Sequence, residues 1–115
     1  NAGHNPPIIA TATEPPVKLL TAGGPIIGAF LDQRYEQEKV FLATGDIVVV
    51  YTDGVTEALS PEGIEFGEER LRSIVLEVRS FSARQAAEHV IAKVLEWQGH
   101  SSQHDDITLI VMKVK

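Results

Sequence analysis

The stretch Gly45-Asp46-Ile47-Val48-Val49-Val50-Tyr51-Thr52-Asp53-Gly54 decides the fold of this chain. Ile47 to Tyr51 are β-formers with no polar residue among them, so the run does not alternate between a wet and a dry face. It reads as a strand buried on both faces. Thr44-Gly45-Asp46 ahead of it is a turn. The strand breaks abruptly at Thr52-Asp53-Gly54. A carboxylate therefore stands at the rim of the most apolar strand, on a rigid base yet in reach of solvent.

Upstream, residues 34–42 alternate weakly and end in an apolar run, which predicts a strand paired with 47–51 in an antiparallel hairpin. Residues 8–13 and 17–20 read as a further strand pair. Glu14-Pro15-Pro16 makes their turn, because proline fixes φ and donates no ladder hydrogen bond. Gly23-Gly24-Pro25 is another turn; no Lys follows and no helix opens there, so it is not a phosphate loop.

Downstream the period changes. Leu71, Ile74, Val75 and Val78 recur as one helix face, and Glu68 and Glu69 fall in the first turn, where the helix dipole favours anions. A second helix opens at Ser82, with Gln85 completing a capping box. Its apolar stripe is Ala86, Ala87, Val90, Ile91, Val94 and Leu95, with Trp97 near the end and Gly99 as the stop. After a polar loop over 99–104, residues 107–114 form a closing strand with Ile107, Leu109 and Val111 on one face. Strands, two consecutive helices and a strand predict an α+β fold, an antiparallel sheet covered by a helix pair.

Composition narrows the function. The chain has 115 residues, suited to a single domain, and 43% hydrophobic residues, too many for disorder. Its net charge of -6 argues against a nucleic-acid partner, which needs a basic face. It has no cysteine, so disulfides and thiolate metal sites are excluded. No apolar run approaches the roughly 18–20 residues of a membrane span, so no membrane partner is expected. The start, Asn1-Ala2-Gly3-His4, has no signal-peptide shape and looks like the interior of a longer protein.

Two acidic positions share one design. Asp53 follows the central strand, and Asp105-Asp106 precede the last. If these strands are antiparallel neighbours, the end of one lies beside the start of the other, and Asp53 and Asp105 converge. Two close carboxylates repel unless a cation joins them. Oxygen ligands without cysteine favour Mg²⁺ or Mn²⁺. On spacing alone, Thr-Asp-Gly also serves as a plain turn and Asp-Asp as a solvated loop. His4 either orients a ligand or substrate or is a hydrogen-bonded structural residue, and Asn1 is open to the same two readings. His100 and His104 have an H-x₃-H spacing, but in a Ser/Gln loop rather than on a helix, which favours solvent over zinc. Glu57 follows the Asp-Gly pair on a short helical turn and receives no catalytic role.

Three segments together resemble the protein phosphatase 2C superfamily of metal-dependent Ser/Thr phosphatases, in its bacterial SpoIIE-like and RsbU-like branch. They are Asn1-Ala2-Gly3-His4-Asn5-Pro6-Pro7, then Gly45 through Thr52-Asp53-Gly54-Val55-Thr56-Glu57-Ala58, then Asp105-Asp106-Ile107-Thr108-Leu109-Ile110-Val111. The resemblance implies antiparallel β-sandwich layers flanked by helix pairs, with a centre of two Mn²⁺ or Mg²⁺ ions at the sheet rims. Asp53 resembles the ligand of the Asp-Gly motif, and Asp105 the ligand that opens the final strand. Asp106, often Asn elsewhere in the superfamily, and Gly54 have supporting roles. The implied reaction is phosphomonoester hydrolysis by a water between the two metals. The implied setting is cytoplasmic sigma-factor regulation, with a phosphorylated anti-anti-sigma-factor-like substrate and an upstream sensor or receiver domain. The alternative reading is a non-catalytic pseudophosphatase or partner-binding regulatory module.

The family places further metal-binding acids upstream of the Asn-Ala-Gly-His segment. Residues 1–115 thus resemble the C-terminal portion of one catalytic domain, about its last three-fifths by usual domain sizes. Alone, the chain is expected to be weakly active or inactive, with apolar sheet surface left for a homodimer, a swap or a missing segment to cover.

Overall fold

A computed structural model describes residues 1–100 and 105–115. The strands are β1 (Ile8–Ala10), β2 (Val17–Leu19), β3 (Ile47–Tyr51) and β4 (Leu109–Lys113). The helices are α1 (Asp53–Thr56), α2 (Glu68–Glu77) and α3 (Ala83–Gln98), and a 3₁₀ turn, Val78–Ser80, follows α2. The strands form one antiparallel sheet in the order β2-β1-β3-β4. The fold is α+β, and among the described residues it comprises one sheet layer and one helix layer.

β3 is the central strand that its composition predicts. Ile47, Val48, Val49 and Tyr51 are all buried. Alternate residues point to opposite faces, and one face, with Ile8, Ala10, Ile47, Val49 and Tyr51, packs on Leu71, Val75 and Val78 and on Ala86, Val90 and Val94 of α3. Burying side chains of this size contributes about 1.5–3 kcal/mol each. The opposite face buries Ile9 and Val48 but leaves Ile110 55% and Met112 49% exposed on the edge strand β4.

The predicted hairpin partner of β3 is a correction. Residues 34–42 form no strand, and Phe41 is 94% exposed. β3 has two hydrogen-bonding edges; β1 takes one and β4 the other. The charges of Arg34, Glu36, Glu38 and Lys39 also leave this segment no continuous apolar face. It is tied down instead by the Glu36 N–H donating to the Gly23 carbonyl (3.0 Å) and by a Lys18–Glu38 ion pair (2.8 Å).

The helix pair follows the sequence closely. Ser82 caps α3 by accepting from the Gln85 N–H, and the Gln85 side chain accepts in return from the Ser82 N–H. Gly99 ends the helix with φ 55°, in the left-handed region where a Cβ is strained. No helix among the described residues is long and apolar enough to cross a membrane.

Candidate metal centre at the sheet rim

The register brings three chain segments to one end of the sheet. Ile8 pairs with Val49, so the residues preceding β1 lie beside the exit of β3. Tyr51 pairs with Leu109, so the residues preceding β4 lie on its other side. Asn1–Pro7, Thr52–Gly54 and Asp105–Thr108 therefore share a rim.

Thr52 extends the β3–β4 ladder past its last pair. Its N–H donates to the Thr108 carbonyl (3.1 Å). Its hydroxyl accepts from the Thr108 N–H (3.0 Å) and donates to the Asp106 carbonyl (3.1 Å). One side chain thus satisfies a donor and an acceptor where the sheet stops. The next residues turn at once into α1, with the Glu57 N–H donating to the Asp53 carbonyl (2.8 Å).

Gly54 sets the spacing. A Cβ placed on it would lie 2.5 Å from the Asp106 carbonyl oxygen and 3.5 Å from the Asp105 carbonyl carbon. Its φ is not in the left-handed region, so the demand for glycine comes from close approach. With no side chain between them, the backbone after Asp53 touches the backbone of Asp105 and Asp106.

Both carboxylates lie on the solvent side of this contact. Asp53 is exposed, and its Oδ1 accepts from the Gly54 N–H (3.0 Å). Asp105 is exposed, and its Oδ1 accepts from the Asp106 N–H (2.7 Å). Asp106 is also exposed, and its contribution to the join is its carbonyl rather than its carboxylate.

Asn1 and His4 bond to each other. The Asn1 carboxamide donates to the His4 carbonyl (2.9 Å) and accepts from the His4 N–H (2.9 Å). The His4 ring Nδ1 lies 2.9 Å from the Asn5 carbonyl oxygen. The Asn1 carbonyl accepts from the Gly24 N–H (3.1 Å). These bonds close a turn that fastens the start of the chain to residues 23–24. His104 lies outside the described residues, and with it the H-x₃-H pairing to His100. Thr52 was given no part by sequence reasoning; a threonine at a strand exit directly before Asp-Gly is the signal that would have found it.

The donor set is hard oxygen, which suits Mg²⁺ or Mn²⁺. It is also short: among the described residues, no three His, Cys, Asp or Glu side chains gather closely enough to hold an ion. Asp53 and Asp105 fit part of a divalent centre rather than all of one.

This architecture is that of the phosphatase 2C fold, and the chain belongs to the SpoIIE family. The family described as Stage II sporulation protein E (SpoIIE) matches residues 1–115. The phosphoserine phosphatase RsbU of Bacillus subtilis is 30% identical over 100% of this chain and 34% of its own length. Protein IcfG of Synechocystis is 34% identical over 97% of this chain and 17% of its own. Among solved structures, the SiaA-PP2C domain of Pseudomonas aeruginosa superposes with a TM-score of 0.81 at 25% identity, over 99% of this chain and 44% of that one. The PP2C domain of SpoIIE from Bacillus subtilis does so with a TM-score of 0.77 at 19% identity, over 99% of this chain and 32% of that one. The chain thus spans about a third of the length of RsbU and about a sixth of that of IcfG.

Proposed function

We propose that this chain is the C-terminal part of a metal-dependent Ser/Thr protein phosphatase domain, to which it contributes Asp53 and Asp105 as metal ligands. The observation that carries the reading is the Gly54 contact: it joins the backbones bearing both acids at an exposed rim. Membership of the SpoIIE family and likeness to RsbU, named a phosphoserine phosphatase, support it.

The work of this chain is positional. Thr52 pins the exit of β3 to the entrance of β4, and Gly54 lets the two segments touch. Asp53 and Asp105 then supply negative charge from fixed backbone, each with one oxygen oriented by a main-chain N–H. When bound, divalent ions supply Lewis-acid activation of water and neutralise charge on the phosphoryl oxygens. The net reaction is cleavage of the serine Oγ–P bond by water, giving serine and inorganic phosphate. The substrate class is a serine-phosphorylated signalling protein of the sigma-factor-regulating type.

The test is phosphate release from p-nitrophenyl phosphate by the intact protein. Turnover is expected with Mn²⁺, is lost in EDTA, and is lost in Asp53→Asn and Asp105→Asn. Full turnover by either variant removes the assignment, and metal-independent turnover by the wild type removes the mechanism.

A further inference from the structure

Asp53 begins α1, and α1 is a single turn of four residues. A helix that short does not hold its own shape in water. No side chain caps its start, because the Thr52 hydroxyl is spent on Thr108 and Asp106. The direction in which Asp53 leaves the rim therefore depends on what grips the far end of the turn.

That grip is a chain of hydrogen bonds running to the helix layer. The Asp53 carbonyl accepts from the Glu57 N–H (2.8 Å) and the Thr56 hydroxyl (3.2 Å). The carbonyls of Thr56 and Ala58 accept from the N–H groups of Gly67 and Phe66 (both 2.8 Å). A bridge between Leu59 and Glu65 closes the loop that connects them. The carbonyls of Ile64, Glu65 and Phe66 are then all taken by side chains of α2 and α3. Trp97 Nε1 donates to Ile64 (3.0 Å), and Arg70 Nη1 donates to Phe66 (2.8 Å) and Glu65 (3.3 Å). The Arg70 guanidinium lies 4.0 Å from the centre of the Trp97 ring, and the Phe66 ring meets that indole edge-on. Among the described residues Arg70 makes no ion pair, so its donors go to this loop. A planar guanidinium stacks on indole while serving two carbonyls; a compact ammonium does not do both.

We propose that Arg70, stacked on Trp97, is a positioning residue for metal binding: through the loop over 58–67 it fixes the turn that carries Asp53. This rests on the catalytic reading above, since Arg70 acts only through Asp53. It adds a control point in the helix layer, away from the rim itself.

The test measures Mn²⁺ binding to the intact protein by calorimetry, beside amide hydrogen exchange over residues 53–67 in EDTA. Arg70→Ala should speed exchange there and weaken Mn²⁺ binding about tenfold, the low end for residues that orient a metal ligand. Stoichiometry should stay at the wild-type value, whereas partial unfolding would lower it. The sign separates position from charge. A cation at residue 70 repels a metal ion, so if charge alone mattered, Arg70→Ala would bind Mn²⁺ more tightly. Arg70→Lys keeps the charge without the fork, and should bind Mn²⁺ nearly as weakly as Arg70→Ala. Trp97→Phe keeps a ring under Arg70 and loses one N–H donor, so a loss of about threefold is expected. Unchanged or tighter Mn²⁺ binding by Arg70→Ala overturns the proposal. So does weaker binding without faster exchange, because the effect then does not travel through the loop. Wild-type affinity in Arg70→Lys overturns it too. Asp53→Asn separates the two claims and should weaken Mn²⁺ binding more than Arg70→Ala does. Wild-type affinity in Asp53→Asn removes the catalytic reading and the role of Arg70 with it; a loss there with none in Arg70→Ala sinks only the role of Arg70.

Discussion

Asp46 and Asp53 stand at opposite ends of β3, and their surroundings differ in every respect that matters. Asp46 is 4% exposed, and its carboxylate accepts from the Ala43 N–H (2.8 Å), closing the turn that enters the strand. Its backbone joins the β4 ladder, accepting from the Val114 N–H (3.0 Å). Lys113 ties this end down further, donating to the carbonyls of Gly45 and Arg79. Asp53 is exposed, and among the described residues its carboxylate bonds only within its own turn. One aspartate spends its acceptors on folding. The other keeps acceptor capacity facing outward, which a metal ligand requires. Residue type alone does not separate structure from function here; the neighbours do.

The sharpest way to break this comparison is to neutralise each aspartate in turn. Asp53→Asn should lower metal-dependent phosphate release by at least about a hundredfold, with the urea midpoint nearly unmoved. Asp46→Ala should do the opposite, lowering the unfolding free energy by about 1–3 kcal/mol in urea titrations while the folded fraction keeps its turnover. Reversed outcomes would mean that the roles of the two ends have been exchanged.

A smaller effect sharpens the geometry of the exit. Gly54→Ala drives a methyl group into the Asp106 carbonyl, so the two segments must separate. Chemical denaturation should show a loss of about 1–3 kcal/mol, and turnover should fall along with it. Unchanged stability and activity would show that close approach is not what glycine provides there.

The smallest effect concerns pH. Tyr51, the last residue of β3, is 2% exposed, and burial first, then the charge of Glu68, push its hydroxyl up to about 12 against the opposing pull of Arg72. The unfolded chain releases this proton near pH 10, and the folded chain holds it to about 12. Between those values the native state binds more protons than the unfolded state, so stability falls as pH rises; below pH 10 this group contributes no slope. Tyr51→Phe should flatten the decline in thermal midpoint across that window, and an unchanged slope would place its cause elsewhere.

Much of the fold was legible because its signals are local. Five apolar β-formers in β3, the stripe from Leu71 to Val78, and the Ser82–Gln85 box each state their conformation within a few residues. The failure at residues 34–42 is instructive for the same reason. Weak alternation nominates a strand, but pairing is a competition for edges, and β1 and β4 hold both edges of β3. The candidate site was legible by halves. Asp53 and Asp105 announce themselves at strand rims, whereas the close approach that requires glycine at position 54 follows from no local pattern. That contact joins segments distant in sequence.

The sequence by itself determined the central strand β3, the two long helices, and which carboxylates stand at the ends of buried strands. Those properties follow from side-chain branching, apolar period and capping chemistry, all of which act over a few residues. Only the tertiary structure decided that β4 lies antiparallel beside β3, that Thr52 and Gly54 bring Asp53 and Asp105 to one rim, and that Asn1 and His4 close a turn. Those outcomes depend on long-range register and on close approach between backbones, and no short window of sequence encodes which surfaces will meet.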